Sequence, residues 1–351
     1  MVIDKKVLLD WLLEEENPMV KYNTLVNILD KPVGSPEASE ALRDMMASRP
    51  VSAILRGLEA GYGDQKAVTR WGEPAAMAGY VPKYRGAAWR LIFLAQAGVD
   101  PEGPRVAGLC EHILRHAYSE RHGTFAVSFR TKTWCKDALM PCFMGNMVWS
   151  LCAMGYGDRP EVRNGFRFLV EHQRFDDGDW KTPKSYPYRE KQDRCWGAHT
   201  CYWGVTRLLK AMTAVPDSYW TVEALDAKRK AIDFVLLHRL IWSSHTPDRP
   251  VSTKTTNPAR LTAPLTYYDD AVEIASNLLA LGVRHEAIDS TVEYVKEKAD
   301  MNGRWAADNT PGPLDAPFAR KGKESKWVTY RVLRMLKLAD MLEKNRQPHY
   351  R

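Results

Sequence analysis

Nine consecutive residues, 193–201, carry Asp193, Cys195, His199 and Cys201, in a chain with only six cysteines and nine histidines. Thiolate and imidazole are the ligands zinc prefers, and a tetrahedral site joins a close pair to donors from elsewhere in the chain. Cys195 and His199 are four apart, so one helical turn puts them on a shared face. Cys201 is out of phase with that face. It fits if the helix begins near His199 and Cys195 lies in the preceding loop. Two other fates are open to the same residues: cysteine is often a small buried hydrophobe, and close thiols can do redox chemistry.

A second group is "YYDDAVE", with Tyr267, Tyr268, Asp269, Asp270 and Glu273. A helix N-cap with an acidic first turn explains it without chemistry. If it is functional, Asp270 faces a cavity as acid or base with Tyr268 beside it. The aspartates of "FDDGDW" (Asp176, Asp177, Asp179) are expected to be solvated. His112 and His116 share a helical face, and surface or packing roles are expected of them. Trp89, Trp149, Tyr202, Trp203, Tyr268 and Trp327 are candidate pocket rings that could stabilise a cation through their π faces; some must fill the interior instead. Lys83, Arg85 and Lys326 could hold a diphosphate or serve the general surface. The chain has no phosphate loop, dinucleotide fingerprint, HExxH motif or serine elbow.

These residues sit on helical elements. "LIFLAQAGVDPEGPRVAGLCEHIL", "SLCAMGYGDRPEVRNGFRFLV" and "NLLALGVRHEAIDSTVEYV" each join an apolar helical stretch to a Gly-Val or Gly-Tyr stop and a second amphipathic stretch. Several second helices run into a glycine-aromatic turn: "RHGTF", "FDDGDW" and "MNGRW". The preceding helices are expected to start near Tyr84, Cys142, Ala198, Tyr267 and Lys326, and "MVKYNTLVNIL" begins the series. A period of about 55–70 residues gives about six helical hairpins. Alternating β-branched runs are scarce, so an all-α fold is predicted, either a superhelix or a closed ring of hairpins.

The formal charge is +7, but 50 basic and 43 acidic residues are interspersed, and only "FARKGKESKW" and the tail 343–351 are locally basic. Nucleic acid is therefore not an expected partner. No segment has the roughly 18–20 apolar residues of a membrane span, and the acidic N-terminal stretch does not suit a signal peptide. A cytoplasmic chain with reduced thiols is expected.

"NGFRFLVEHQRFDDGDW" resembles the Gln-Trp motif of the squalene and oxidosqualene cyclases, with Arg163, Phe168, Gln173, Gly178 and Trp180 in the motif positions. "KEKADMNGRW" is a degenerate copy that keeps Gly303 and Trp305. "YVPKYRGAAWRLIFLAQAG", "PCFMGNMVWSLCAMGYGDRPEV" and "SKWVTYRVLRMLKL" are similar to single-domain proteins with this repeat. The resemblance implies that residues 1–351 form one α/α toroid, like the terpenoid cyclases and protein prenyltransferase β subunits, with Gln173 and Trp180 stabilising the repeat. It also implies an isoprenoid or other apolar substrate in an aromatic central cavity. Prenyltransferases hold zinc with Asp-x-Cys and His elements, which Asp193–Cys195 and His199–Cys201 resemble, although here both fall in one repeat. Neighbouring inner helices of a toroid start at the same end. Cys142 would therefore meet Cys195, His199 and Cys201 at one rim, with Cys135 or Asp193 in reserve. Magnesium is expected only with a diphosphate substrate. The Asp-x-Asp-Asp acid of the class II cyclases is absent. The alternative is a binding toroid for a ligand or protein, stapled by a structural zinc.

Overall fold

The helices of this chain are of two compositions, and composition decides which lie inside. The computed structural model describes residues 5–59, 80, 82–127, 138–178, 195, 200–252 and 256–344. Thirteen α-helices among them are numbered here in chain order: α1 (Lys5–Leu12), α2 (Pro18–Asn27), α3 (Pro36–Ala47), α4 (Val51–Glu59), α5 (Ala87–Ala97), α6 (Pro104–Ala117), α7 (Pro141–Ala153), α8 (Pro160–His172), α9 (Tyr202–Met212), α10 (Val222–Leu237), α11 (Ala271–Ala280), α12 (Glu286–Glu297) and α13 (Lys326–Lys344). The expected all-α class is observed. The strands are two residues each: Tyr118–Ser119 pairs antiparallel with Thr124–Phe125.

In α5, ten of eleven residues are buried, and in α9 all eleven are. By contrast, α6 buries six of fourteen and α12 five of twelve. A helix buried all round lies inside, and one with a single apolar stripe lies outside. So α5, α7, α9 and α11 are interior, and α6, α8, α10 and α12 cover them. Packing follows chain order: α5 on α7, α7 on α9, α9 on α11, α11 on α13, and α13 back on α2, with α2, α3, α4 and α5 in contact successively. Several helices begin with proline at the first turn (Pro18, Pro36, Pro104, Pro141, Pro160), where the missing N–H costs nothing.

The three glycine-aromatic turns share one geometry. Gly123, Gly178 and Gly303 all have positive φ, at 63°, 95° and 71°. Two residues after Gly123 and Gly303 come Phe125 and Trp305, both fully buried. Trp305 Nε1 donates to Val295 O at the end of α12 (2.7 Å), while its backbone N donates to Thr329 Oγ1 of α13 (3.1 Å). The degenerate motif thus ties an outer helix to the next inner one. In the full copy, Gln173 caps α8 and Trp180 lies outside the described residues. The backbones of α7 and α9 approach closely: a Cβ on Gly145 would stand 2.6 Å from Arg207 O, and one on Gly204 would stand 2.7 Å from Pro141 Cβ.

Two expectations are corrected. The helix expected near Ala198 is seen from Tyr202, with Cys201 as its N-cap. The aspartates of "FDDGDW" are not simply solvated. Asp176 takes two bonds from Arg174 (2.8 and 2.6 Å), and Asp177 holds Ser244 Oγ (2.6 Å) and His238 Nε2 (3.2 Å). Asp179 lies outside the described residues. No helix among the described residues is long and apolar enough to cross a membrane.

Candidate functional site

The first turns of the inner helices gather thiols and aromatic rings. Cys142 is the second residue of α7, and Cys201 caps α9. The Cys195 thiol hydrogen-bonds Cys201, which lowers the Cys201 thiol from its usual value against the opposing effect of burial. Burial, reinforced by Cys201, raises Cys142. Three of the four expected ligands are therefore neighbours, while His199, Asp193 and the reserve Cys135 lie outside the described residues. Thiolates are donors of the type zinc prefers. Among the described residues alone, no three His, Cys, Asp or Glu side chains form a metal-holding group.

Tyr80 adjoins these thiols; burial first, then Cys142, raises its hydroxyl. Around it, Tyr80–Trp89, Tyr84–Trp89 and Tyr80–Phe143 have ring centroids 5.0, 5.0 and 5.9 Å apart. Trp203 meets Tyr268 at 5.6 Å. Trp89, Tyr202, Trp203 and Tyr268 are all buried. Trp89 Nε1 donates to Tyr80 O (2.8 Å), the Tyr202 hydroxyl donates to Leu240 O, and the Tyr268 hydroxyl accepts from Asn309 Nδ2 (2.7 Å). The proposed diphosphate holders have other company: Lys83 lies over the Tyr84 and Tyr267 rings, Arg85 is 3.7 Å from Asp315, and Lys326 pairs with Glu14.

About nine residues along α9 from Cys201, or roughly 13 Å at 1.5 Å per residue, a second site opens. It is a cavity of about 370 Å³ lined by residues of α2, α5, α7, α9, α11 and α13. Of the expected pocket rings, Trp149 and Trp327 line it. The charged members are Lys210, Glu273, Arg331 and Arg334. Lys210 Nζ is 2.7 Å from Glu273 Oε1 and 3.7 Å from the centroid of the Trp149 ring. Burial lowers this ammonium to about 8, with Glu273 opposing and Arg207 assisting. Burial alone would raise Glu273, but Lys210 and Arg331 outweigh it and hold the carboxyl at about 2.

Behind this pair lies a wholly buried layer. Arg207 Nη1 is 3.0 Å from Asp269 Oδ1, and its Nη2 donates to Thr266 O and Tyr268 O (2.9 and 2.7 Å). Arg331 forks onto Asp270 (2.9 and 2.7 Å). Asp270 also accepts from Thr262 N (2.8 Å) and, as N-cap of α11, from Glu273 N (3.0 Å). Three cations thus face three carboxylates, which is what makes burial of six charges tolerable. Asp270 therefore caps and anchors behind the wall, and its neighbour one turn on, Glu273, reaches the cavity.

Sequence inspection missed Lys210, Arg331 and Arg334. A signal existed: Arg207 and Lys210 stand one turn apart in an otherwise apolar buried helix, matching Asp269 and Glu273 one turn apart in "DDAVE". Arg334, exposed at the mouth, forms no hydrogen bond or ion pair among the described residues.

No family model matches the chain, and no curated protein does. Among solved structures, a wild-type glycosidase is similar at 13% identity and a TM-score of 0.32, over 84% of this chain and 99% of its own. A glycosidase variant in complex with glucose is similar at 14% identity and a TM-score of 0.27, over 97% of this chain and 99% of its own. Likenesses at this level assign neither fold nor activity.

Proposed function

We propose that the chain is an α/α toroid of the terpenoid cyclase and prenyltransferase kind, and that its central cavity binds and transforms a small molecule. The supporting observation is that one cavity of about 370 Å³ receives side chains from α2, α5, α7, α9, α11 and α13, helices that contact one another in succession. That volume lies in the range of small-molecule sites, about 300–1,000 Å³. Its chemistry favours an anionic head on an apolar body: Lys210 is balanced by Glu273 and Arg331 by Asp270, Arg334 adds a positive charge beyond these pairs, and Trp149 and Trp327 provide ring faces. An isoprenoid diphosphate meets both requirements, and magnesium would accompany such a substrate. Lys210 and Glu273, an ammonium and a carboxylate in contact, are the groups placed to move protons.

Geranyl diphosphate titrated by calorimetry tests this. Binding should be weakened about tenfold or more by Arg334→Glu, a loss of about 1.4 kcal/mol, and abolished by Ala153→Trp, which fills the cavity. No binding, or binding indifferent to both changes, overturns the proposal.

A second reading, a non-catalytic toroid with a structural zinc, rests on the adjacency of Cys142, Cys195 and Cys201. These three, with His199, would hold the metal and staple α7 to α9. About one zinc per chain in untagged protein, lost in Cys195→Ser, supports it; metal-free wild type rejects it.

A further inference from the structure

Lys210 is unusual among the chain's cations: an amine, 2% exposed, on the wall of a cavity rather than at a surface. Its company is a carboxylate at 2.7 Å and an indole face at 3.7 Å. We infer that the Lys210 amine is a nucleophile that condenses with the carbonyl of an anionic oxo compound, an oxo acid with an apolar side chain. This rests on the cavity being a site for an anionic head on an apolar body; within that description it names an oxo acid, in place of the diphosphate, as the substrate class and adds the covalent step.

The step balances within the residues present. The nitrogen lone pair adds to the carbonyl carbon, and the carbon–oxygen π pair moves to oxygen. By way of Glu273 two protons pass from nitrogen to that oxygen, first the one whose loss uncovers the lone pair and then one shed by the adduct, and the oxygen leaves as water. Ammonium plus carbonyl gives iminium plus water, with no net gain or loss of charge. The iminium therefore keeps the Glu273 ion pair and the Trp149 face, and the buried layer of three cations and three carboxylates stays neutral. An ordinary surface lysine has none of these supports. Arg334 at the mouth is positioned to meet the substrate's carboxylate, and Trp149 with Trp327 to meet its apolar part. The amine must first be uncharged. Burial first, then Glu273 of α11, Arg207 of α9 itself and Asp269 set this and leave Lys210 at about 8, while Arg331 of α13 faces the pair through Glu273 at 3.4 Å.

Phenylpyruvate is a suitable probe: an oxo acid with an aromatic body. Full-length protein would be incubated with it and sodium borohydride, then examined by intact mass and peptide mapping. One reduced adduct per chain, on Lys210, is expected, and Lys210→Arg should lower its yield more than tenfold. That variant keeps a cation against Glu273, and its circular dichroism verifies folding. Yield should rise with a midpoint near pH 8, well below that of surface lysines, about 10.4. No adduct, or adducts scattered over lysines and unchanged in Lys210→Arg, overturns the inference. If the wild type binds geranyl diphosphate yet forms no adduct, the covalent step alone falls. If it does neither, the cavity as a substrate site falls with it.

Discussion

At the scale of the residue, the chemistry of this chain is a problem of buried charge. Each ion in the layer between α9, α11 and α13 would be costly alone, and each is retained because its partner is equally buried. Glu273 is held at about 2, below the ordinary carboxylate value. Its contribution is therefore complete above that ordinary value and is lost as pH falls toward 2. Lys210 runs the other way. It is held at about 8, so between there and the ordinary lysine value the unfolded chain binds more protons, and stability rises with pH. Glu273→Gln should cost about 3–5 kcal/mol at neutral pH, the usual penalty for breaking a buried pair. Urea midpoints should show the gap between wild type and variant closing between about pH 4.5 and 2; a gap constant with pH would refute the assignment. The capping role of Asp270 was legible because a cap is local. Lys210 was not, because its meaning depends on a carboxylate 63 residues away that only helix packing brings to it.

At the scale of the element, the repeating turn is the most legible feature. Gly-x-aromatic in "RHGTF" and "MNGRW" becomes a left-handed glycine followed by a buried ring, because no other residue adopts that φ cheaply and the ring must reach back to the outer helix. Gly303→Ala should therefore destabilise by about 1–2 kcal/mol. Met301→Ala in the same turn, 90% exposed, should stay within about 0.5 kcal/mol. Thermal midpoints compare the two, and equal shifts would remove the left-handed requirement. Less legible were α1, α3 and α4, helices outside the glycine-turn period, with α3 bounded by a local proline and cap, Pro36 and Ser35. Trp89 and Trp203 were expected among the pocket rings and instead pack against Tyr80, Tyr84 and Tyr268, because sequence could not tell a ring that faces a void from one that faces another ring.

At the scale of the molecule, early and late parts of the chain share one wall. Asn27 Nδ2 donates to the Tyr330 hydroxyl at 2.9 Å, and Lys337 Nζ reaches Asn27 O, Ile28 O and Asp30 Oδ1 at 3.1, 3.0 and 2.6 Å. Contacts some 300 residues apart form last and slowly. During synthesis, α5, α7, α9 and α11 leave the ribosome before α13, with interior surfaces on every side and no last partner. Such a chain is exposed to aggregation until α13 arrives, and Arg331 and Arg334 arrive with it. The cavity is thus complete only when the fold is. A molecule that fills the cavity can stabilise only finished chains, so its abundance in the cell would set how many of them persist.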